Sequence, residues 1–569
     1  MSLEKIANKV VETDVLVIGG GVGGTPAAAK AAEHGLRVTL LEKSKVDRSG
    51  SASQGIDHYS GAPPKGMTPQ DFLDFIEKHG KDTAYFGGVP YSDLTRLYRT
   101  VAARSWAIEE LEKMGVTMRW DDGEFLDIDL TNHGGGTCLR VHWQEVKPQM
   151  AKAARERGVN IINRTMAIDL LTHNGAVAGA TAIDTRTGEF LVIKAKAVVL
   201  ATAACSRLYS PETPQPWNYK FRYHWCPASV SGDGWAMAYR AGAELANMEV
   251  SERGIRFRDD LTLSYGNTRG DGIEAKRFLW SGEEVRLAGK NAEGVFSLDY
   301  EDYEKSGRDP FYYSIDHLPE DFQKRMQVAF ADERLVSFKI AEERGFNPTT
   351  HWYEMQDSRP VQLNVPPGLN ADPDFKTTVK GLYAIGDSLA GGHTVASAST
   401  SGLLIGDTIH EFINEADEPV IDEEEVQKQK ETALAPLFVK DGTEPMELEC
   451  SIRYLCDRYI GVYKSEGRLR EGQRRLGTFR KVFLPKLMAS NPHYLMRCNE
   501  VRNIIDVTEV HILACLERKE TRTRFKRVEY PDRDPALDGV LLYSRLENNK
   551  NVIEFRKPEP LNMDFREMR

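Results

Sequence analysis

The sequence lacks the features of a disulfide framework or of a metal cluster of its own. Its seven cysteines are scattered over 569 residues, and none of them forms a Cys-x-x-Cys pair. Iron–sulfur and structural zinc sites commonly need clustered thiolates, so we expect neither in this chain. The odd, scattered count also argues against disulfides and predicts a reducing, cytoplasmic compartment.

Long apolar runs and an excess of basic residues are missing as well. No run reaches the ~20 apolar residues of a membrane helix, and the opening segment MSLEKIANKVVETD has mixed charge, unlike a signal peptide. The net charge of −11 makes nucleic acid and anionic membranes poor partners. We therefore expect a globular protein of two or three domains that does not insert into membranes.

What is present is a β–α–β unit near the N-terminus. TDVLVI (13–18) predicts a buried strand, alanines at helical spacing predict a helix, and RVTLLEK (37–43) predicts a second buried strand. Between the first strand and the helix stand Gly19, Gly21 and Gly24, in G-x-G-x-x-G spacing. The first glycine permits a tight turn, the second lets the backbone approach a pyrophosphate, and the third permits close helix–strand packing.

An acidic residue completes this dinucleotide-binding pattern. Glu42 lies at the end of the second strand, where a carboxylate accepts hydrogen bonds from a ribose. The glycine spacing alone is also compatible with a plain glycine turn. Strand, helix and acid in register favour dinucleotide binding.

A second group of segments indicates FAD rather than NAD. GLYAIGD (381–387) predicts a strand ending at Asp387, whose carboxylate suits a ribitol hydroxyl, although it would also serve as a helix cap. KAVVLAT (196–202), which contains Ala201, predicts a third strand close to the nucleotide. The small-residue run ASASTSG (396–402), which contains Ser401, predicts a helix start near an isoalloxazine ring.

The whole pattern predicts an α/β fold: a Rossmann-type FAD-binding domain with an inserted α+β capping domain and a C-terminal helical domain. We expect the FAD-binding domain at 1–207 and 376–415, the capping and substrate domain at 208–375, and the helical domain with a tail at 416–569. Alternating residues over 160–194 predict a β-meander appended to the nucleotide domain. The last 40 residues, polar and interrupted by prolines, predict an extended tail over the surface.

These motifs resemble the flavoprotein subunits of the fumarate reductase/succinate dehydrogenase superfamily. The matching segments are VLVIGGGVGG, RSGSASQG (48–55), KAVVLAT, SGDGWAMAYRAGAEL (231–245), GLYAIGD and ERKETRTRFKRVEYP (517–531). Within the superfamily the chain looks most like the α subunits of adenylylsulfate (APS) reductases, partly because of GTCLRVHWQEVKP (136–148).

The resemblance implies how FAD is held. Members that attach FAD covalently place a histidine after the Arg-Ser of RSGSASQG, whereas here Ser49 is followed by Gly50, so FAD should be non-covalent. Lys43 and Gln54 join Ser49 and Gly50 as expected cofactor contacts.

The resemblance also implies two-electron redox chemistry on a small anionic substrate, with electrons exchanged through a separate iron–sulfur, ferredoxin-like subunit. Two alternatives remain: reduction of a C=C bond as in fumarate reductases, and a flavin electron-transfer subunit that is not catalytic. The position of the histidine in the APS reductase substrate site falls in HWYEMQDSRPVQ (351–362), where no histidine aligns.

Five residues are candidates for the substrate site. Arg256 is expected to hold an anionic group through its rigid fork of donors, or else to be salt-bridged to its neighbours. His393 would donate a hydrogen bond or a proton, or else be a loop histidine bonded to backbone. Trp225, with His224 beside it, would form an apolar wall or simply pack in a core. His58 is the weakest candidate.

Overall fold

A computed structural model of the chain describes residues 2–53, 56–62, 68, 71, 99–129, 137–143, 145–209, 227–253, 276–284, 306–308, 310–314, 316–317, 319–320, 323–324, 327, 335–347, 350–355, 360–363, 366–392, 394–522 and 525–558. The helices in these ranges are α1 (Leu3–Ile6), α2 (Gly24–Glu33), α3 (Arg104–Lys113), α4 (Val146–Glu156), α5 (Asp233–Arg240), α6 (Leu335–Arg344), α7 (Thr394–Glu415), α8 (Glu423–Leu434), α9 (Pro445–Tyr459), α10 (Glu466–Thr478) and α11 (Pro492–Glu517).

The strands in the same ranges are β1 (Lys9–Ile18), β2 (Val38–Glu42), β3 (Ile56–Ala62), β4 (Leu126–Asp129), β5 (Thr137–Trp143), β6 (Asn160–Asn163), β7 (Thr165–His173), β8 (Ala176–Asp184), β9 (Phe190–Leu200), β10 (Leu245–Ala246), β11 (Glu252–Arg253), β12 (Lys276–Leu279), β13 (Phe311–Ser314), β14 (Tyr353–Met355), β15 (Pro360–Gln362), β16 (Gly368–Leu369), β17 (Leu382–Ala384), β18 (Tyr463–Lys464), β19 (Lys526–Arg527), β20 (Leu541–Glu547) and β21 (Lys550–Arg556).

A seven-stranded sheet forms the centre of the molecule. Its order is β6-β2-β1-β9-β8-β7, and β17 pairs with β9 beyond the end of β8. The pairs β6-β2, β2-β1, β1-β9 and β9-β17 are parallel, whereas β9-β8 and β8-β7 are antiparallel. The β-branched and leucine residues that end β1, β2 and β9 are buried, as expected for strands covered on both faces. This arrangement confirms the predicted α/β class.

The segment predicted as an appended β-meander belongs to this same sheet. Its first strand, β6, pairs in parallel with β2, and the antiparallel strands β7 and β8 follow β9 outward. β9 is shared: Phe190–Lys194 pair with β8, and Val198–Leu200 pair with β17. The meander therefore continues the nucleotide-binding sheet.

Helices α2 and α7 pack closely on one face of the sheet because glycines stand where they meet. A Cβ on Gly402 of α7 would collide with the carbonyl oxygen of Gly23, and one on Gly406 would lie 2.8 Å from the Cβ of Lys30. Only residues without side chains permit this approach. The predicted helix beginning in the small-residue run is thus confirmed, and its small residues serve packing.

The region predicted as helical after 410 contains α8 to α11, as expected. The last of these, α11, is 26 residues long and buries Val501, Ile504, Ile505 and other apolar side chains in the main core. Three short strands, β12, β13 and β14, form an antiparallel sheet in the predicted capping region, where α6 is also found. The exact domain boundaries stay predictions.

The predicted extended tail is wrong. Residues 541–556 form a hairpin, β20-β21, and β20 pairs with β10 so that Leu541, Leu542 and Tyr543 are buried. The turn consists of Asn548 and Asn549, with φ of 49° and 59°. Asparagine tolerates this left-handed region, and such a two-residue turn matches the twist of a hairpin. Within the described ranges no helix is both long and apolar enough to cross a membrane.

A buried ionic network fixes α11 to the end of β2. Glu500 of α11 accepts a 2.7 Å bond from the ammonium of Lys43 and pairs with Arg207 and Arg497. These cations lower the pKa of Glu500 to about 2, although its burial acts to raise it. A carboxylate surrounded in this way stays ionised throughout the neutral range.

We expect Glu500→Gln to destabilise the protein, because it leaves buried cations without their counter-charge. Breaking a buried pair from one side costs about 3–5 kcal/mol. Glu509→Gln on the same helix is the matched control: Glu509 is 36% exposed and pairs with Arg480 at 2.6 Å, where a loss of ~1 kcal/mol or less is expected. Urea unfolding followed by circular dichroism compares the two. Equal midpoints for both variants would contradict the assignment.

Candidate functional site

Four parallel strands of the central sheet end at one edge, and the predicted cofactor residues follow them. Gly19 comes directly after β1, Lys43 after β2, Ala201 after β9 and Ile385 after β17. Ligands of open α/β sheets bind at this carboxyl edge. From β2 to β17 the edge spans three strand spacings, roughly 14 Å, which suits an extended dinucleotide.

The glycine loop after β1 has one side closed and one side open. Gly19 has a φ of 103°, and a Cβ there would collide with the carbonyl oxygen of Ala201. A Cβ on Gly24 would collide with the carbonyl oxygen of Gly19, so the start of α2 lies directly on the strand end. A Cβ on Gly21, in contrast, would meet nothing within 4 Å. The open side at Gly21 fits a pyrophosphate, which the N-terminus of α2 attracts through its N–H groups.

The carboxylate of Glu42 lies beside this loop and is buried. Its Oε2 accepts a 2.8 Å hydrogen bond from the backbone N–H of Gly20, and its Oε1 accepts a 2.7 Å bond from that of Ser44. Each carboxylate oxygen has a second lone pair. Glu42 is therefore fixed in position and retains acceptor capacity for the two hydroxyls of a ribose.

The carbonyl group of Gly20 is fixed in position by three side-chain donors. It accepts hydrogen bonds from the hydroxyl of Thr25 at 2.9 Å, from the hydroxyl of Ser49 at 3.3 Å and from the ammonium of Lys147. Sequence reasoning missed Lys147. One signal was available in the sequence: Lys147 shares a helix face with Met150 and Ala151, three and four residues later. A charged residue on the apolar face of a helix needs a buried partner.

Gly50 and Lys43, which were both predicted as cofactor contacts, have different surroundings. Gly50, with a φ of 77°, lies against the loop, and a Cβ there would be 3.3 Å from the Cα of Gly21. The ammonium of Lys43 points into the ionic network instead and bonds to Asp233 at 2.7 Å and to Ser231 at 3.0 Å. Burial alone would lower the pKa of Lys43, but Asp233 and Glu500 raise it above its usual value. A direct cofactor contact of Lys43 stays a prediction.

The other end of the edge is built around a short turn after β17. Gly386 has a φ of 59°, and its N–H donates a 3.0 Å bond to the hydroxyl of Ser401. Asp387 follows and is partly buried. The carbonyl of Ser388 accepts a 2.9 Å bond from the indole N–H of Trp235. The turn is therefore tied to α7 on one side and to α5 on the other.

Two non-glycine residues that follow the carboxyl edge or begin α7 have left-handed backbone. Thr394, the first residue of this helix, has a φ of 72°, which is unusual for a β-branched residue, and Ala203 after β9 has a φ of 59°. Residues held in this way cost about 1–3 kcal/mol each and cluster at functional sites. Nearby, the buried guanidinium of Arg104 donates a 2.9 Å bond to the hydroxyl of Ser397.

Most of the predicted substrate-site residues fall outside the described part of the chain. Arg256, Trp225, His224 and His393 lie there, as does the predicted cofactor contact Gln54.

His58 is placed in β3, opposite Arg140 of β5, and only its backbone is described. Among the described residues, no three or more His, Cys, Asp or Glu side chains are grouped so as to hold a metal ion.

The residues at the carboxyl edge fit FAD. The open side at Gly21, the fixed carboxylate of Glu42 and the N-terminus of α2 match a nucleotide and its pyrophosphate. The turn at Gly386 and the start of α7 lie at the other end of the same edge. Bound FAD supplies two-electron chemistry that amino-acid side chains cannot perform.

Comparisons with known proteins agree with this geometry. Residues 14–253 match the family model described as "FAD binding domain", and residues 451–565 match "Fumarate reductase flavoprotein C-term". The L-aspartate oxidase of Pseudomonas aeruginosa is 26% identical, over 93% of this chain and 98% of its own length.

Two further proteins are similar over nearly their whole length. A component of the fumarate reductase (CoM/CoB) of Methanothermobacter marburgensis is 23% identical, over 95% of this chain and 98% of its own. The structure of adenylylsulfate reductase from Archaeoglobus fulgidus superimposes with a TM-score of 0.81 at 23% identity, covering 98% of this chain and 97% of that one. The FAD cofactor predicted from the sequence is thereby confirmed, and the chain belongs to the fumarate reductase/succinate dehydrogenase family of FAD-dependent oxidoreductases.

Proposed function

We propose that this enzyme transfers two electrons between its FAD and a small anionic substrate, and exchanges them with a separate iron–sulfur protein. The observation that carries the proposal is the carboxyl edge itself. There the FAD cradle at Gly21 and Glu42 leads toward the strained start of α7 at Thr394. His393, a candidate substrate residue, directly precedes this helix in the sequence.

An anionic substrate suits the charge at this end. α7 runs for 22 residues, and its N-terminus carries the positive end of the helix dipole. Arg104, whose guanidinium bonds to Ser397 in the first turn of α7, adds a full positive charge. Arg256 would hold the substrate's carboxylate, sulfate or phosphate through paired N–H donors.

The substrate belongs to one of three kinds that the relatives suggest. The likeness to APS reductase favours adenylylsulfate, and the resemblance of GTCLRVHWQEVKP (136–148) to that branch supports it. The likeness to a fumarate reductase favours a C=C bond next to a carboxylate. The likeness to L-aspartate oxidases favours an amino dicarboxylate. All three are small anions.

The electron partner and the cell compartment follow from the thiols. The five cysteines whose side chains are described are free, and burial raises the pKa of Cys205 and Cys515 to about 12 each, which keeps these thiols protonated. Protonated, scattered thiols suit a reducing cytoplasm and do not provide the thiolates of a cluster. We therefore assign the iron–sulfur centre to a second protein.

The deciding experiment is anaerobic reoxidation of the dithionite-reduced protein. We expect one of adenylylsulfate or fumarate to restore the flavin absorbance in the visible range, or L-aspartate to bleach the oxidised protein. AMP and malonate, which are anions without an electron-accepting group, are the controls. If no substrate of the panel changes the spectrum, while a reduced ferredoxin bleaches the flavin of the oxidised protein, the chain only relays electrons. The proposed catalysis would then be wrong.

A separate prediction concerns how the cofactor is attached. Because Gly50 stands where covalent relatives have histidine, acid or heat precipitation should release stoichiometric yellow FAD into the supernatant. Iron and acid-labile sulfide measured on the same anaerobic sample should be near zero. Flavin that remains in the pellet would overturn the non-covalent assignment, and stoichiometric iron would overturn the assignment of the cluster to a partner.

Substitutions of Arg256 and His393 test their proposed roles in the substrate site. Arg256→Ala should bind FAD normally and lose on the order of 10²–10³ in turnover, the usual cost of one charge-stabilising group. Arg256→Lys should recover little, because an ammonium group cannot form the paired fork. His393→Ala should slow turnover and shift its pH profile.

Arg186→Ala is the matched control, since Arg186 is exposed in the turn between β8 and β9. The variant removes the same charge near the first residue of β9, at the end of that strand opposite the carboxyl edge, and should leave turnover unchanged. Steady-state rates measured with saturating donor compare the variants. A normal rate in Arg256→Ala would place the substrate site elsewhere.

A further inference from the structure

Lys147 is a lysine with no exposed surface, placed in the first turn of α4 behind the glycine loop. Its ammonium group donates to the carbonyl of Gly20 and lies 3.5 Å from the hydroxyl of Thr25. Lysine is almost never fully buried unless it is paired, because the charged group loses its hydration. Such a placement needs a reason within the site.

The negative groups near Lys147 are already bonded to other donors. Glu42 of β2 accepts from two backbone N–H groups, those of Gly20 and Ser44. Asp47, in the turn after β2, pairs with Arg155 at 2.8 Å. Helix α2 presents the uncharged hydroxyl of Thr25. Among the described residues, the ammonium of Lys147 is bonded only to uncharged groups, and Glu42 and Asp47 act on its charge without a direct hydrogen bond.

The contact to Gly20 determines which way the next peptide group points. In a trans peptide the C=O of one residue and the N–H of the following residue point in opposite directions. Because Lys147, Thr25 and Ser49 draw the Gly20 carbonyl inward, the N–H of Gly21 is aimed outward. A Cβ built on the adjoining Cα of Gly21 would meet nothing within 4 Å, so there is open space beside this residue.

We propose that Lys147 is a cofactor-positioning residue: it holds the Gly20–Gly21 peptide in the orientation that binds the FAD pyrophosphate, and its buried charge stabilises that anion. The residue acts through the loop and does not take part in the redox step. The assignment is independent of the substrate, since it concerns only how FAD is held.

This role makes FAD affinity depend on pH. Burial lowers the pKa of Lys147 to about 8, although Glu42 and Asp47 act to raise it. Below pH 8 the lysine is charged, and FAD binds without a proton change. Above pH 8 the lysine is neutral in the free protein, and binding the pyrophosphate takes up a proton. The dissociation constant of FAD should then rise toward tenfold per pH unit between about pH 8 and 9.5.

The experiment uses full-length protein from which FAD has been removed, and titrates FAD back by fluorescence quenching. Lys147→Met keeps a chain of similar length without the charge. At pH 7 it should weaken FAD binding on the order of 10–100-fold, the range for losing a charge-assisted hydrogen bond. Its affinity should also become independent of pH from about 7 to 9.5.

Lys152→Met is the matched control on the same helix, because the side chain of Lys152 is 75% exposed. It should retain both the affinity and the pH slope of the unchanged protein. Circular dichroism and thermal melting of the FAD-free variants check that both fold.

The pH slope of the unchanged protein tests the proposal even if Lys147→Met folds poorly. A flat profile in the unchanged protein would overturn it, and so would wild-type affinity in a folded Lys147→Met. A slope that persists in Lys147→Met would assign the proton to another group and overturn it equally.

Discussion

The structure of the cofactor edge depends on how closely α2 lies over the end of β1. The carbonyl of Gly19 occupies the space where a side chain on residue 24 would be, and the carbonyl of Ala201 occupies the space beside Gly19. This contact sets the position of the helix N-terminus relative to β1 and β9. The sites for pyrophosphate and ribose then follow, because Glu42 bonds to the same loop through Gly20.

Buried charge performs a second, separate task. Four largely buried charged residues connect β2, α5 and α11 by hydrogen-bonded ion pairs: Lys43, Asp233, Glu500 and Arg207. Such networks contribute less net stability than apolar packing of the same volume, but breaking one partner is costly. They therefore specify which elements meet. In this chain they bring a helix near the C-terminus to the end of the second strand, next to the cofactor loop.

The sequence was sufficient for the parts of the site that are local. Gly19, Gly24 and Glu42 belong to one β–α–β unit, so the local pattern of strand, glycines, helix and acid predicted the tight turn, the close helix packing and a carboxylate at the end of the second strand. Lys147 belongs to a helix more than a hundred residues away, and no local pattern connects it to Gly20. The ionic partners of Lys43 were not predictable for the same reason, because Asp233 and Glu500 come from distant segments.

The hairpin near the C-terminus was missed for a different reason. Its signal was local, in the alternation of LLYSRLE (541–547) and in Asn548-Asn549, but the polar residues and prolines of the last 40 residues suggested an extended tail. Its burial comes from pairing with β10, about 300 residues earlier in the chain. The helices after 410 were predictable, because helical periodicity does not depend on a partner.

The strands β9 and β17 pair although they are far apart in the sequence, and this affects folding during synthesis. β9 cannot complete its parallel pairing until β17, at residues 382–384, has been synthesised. At about 5–20 residues per second, the ribosome reaches β17 roughly 9–37 s after it has made β9. During that interval the upper half of β9 presents an unpaired edge, and an unpaired edge is a template for wrong pairing. The newly made N-terminal part is therefore open to wrong pairing at this edge until β17 has been synthesised.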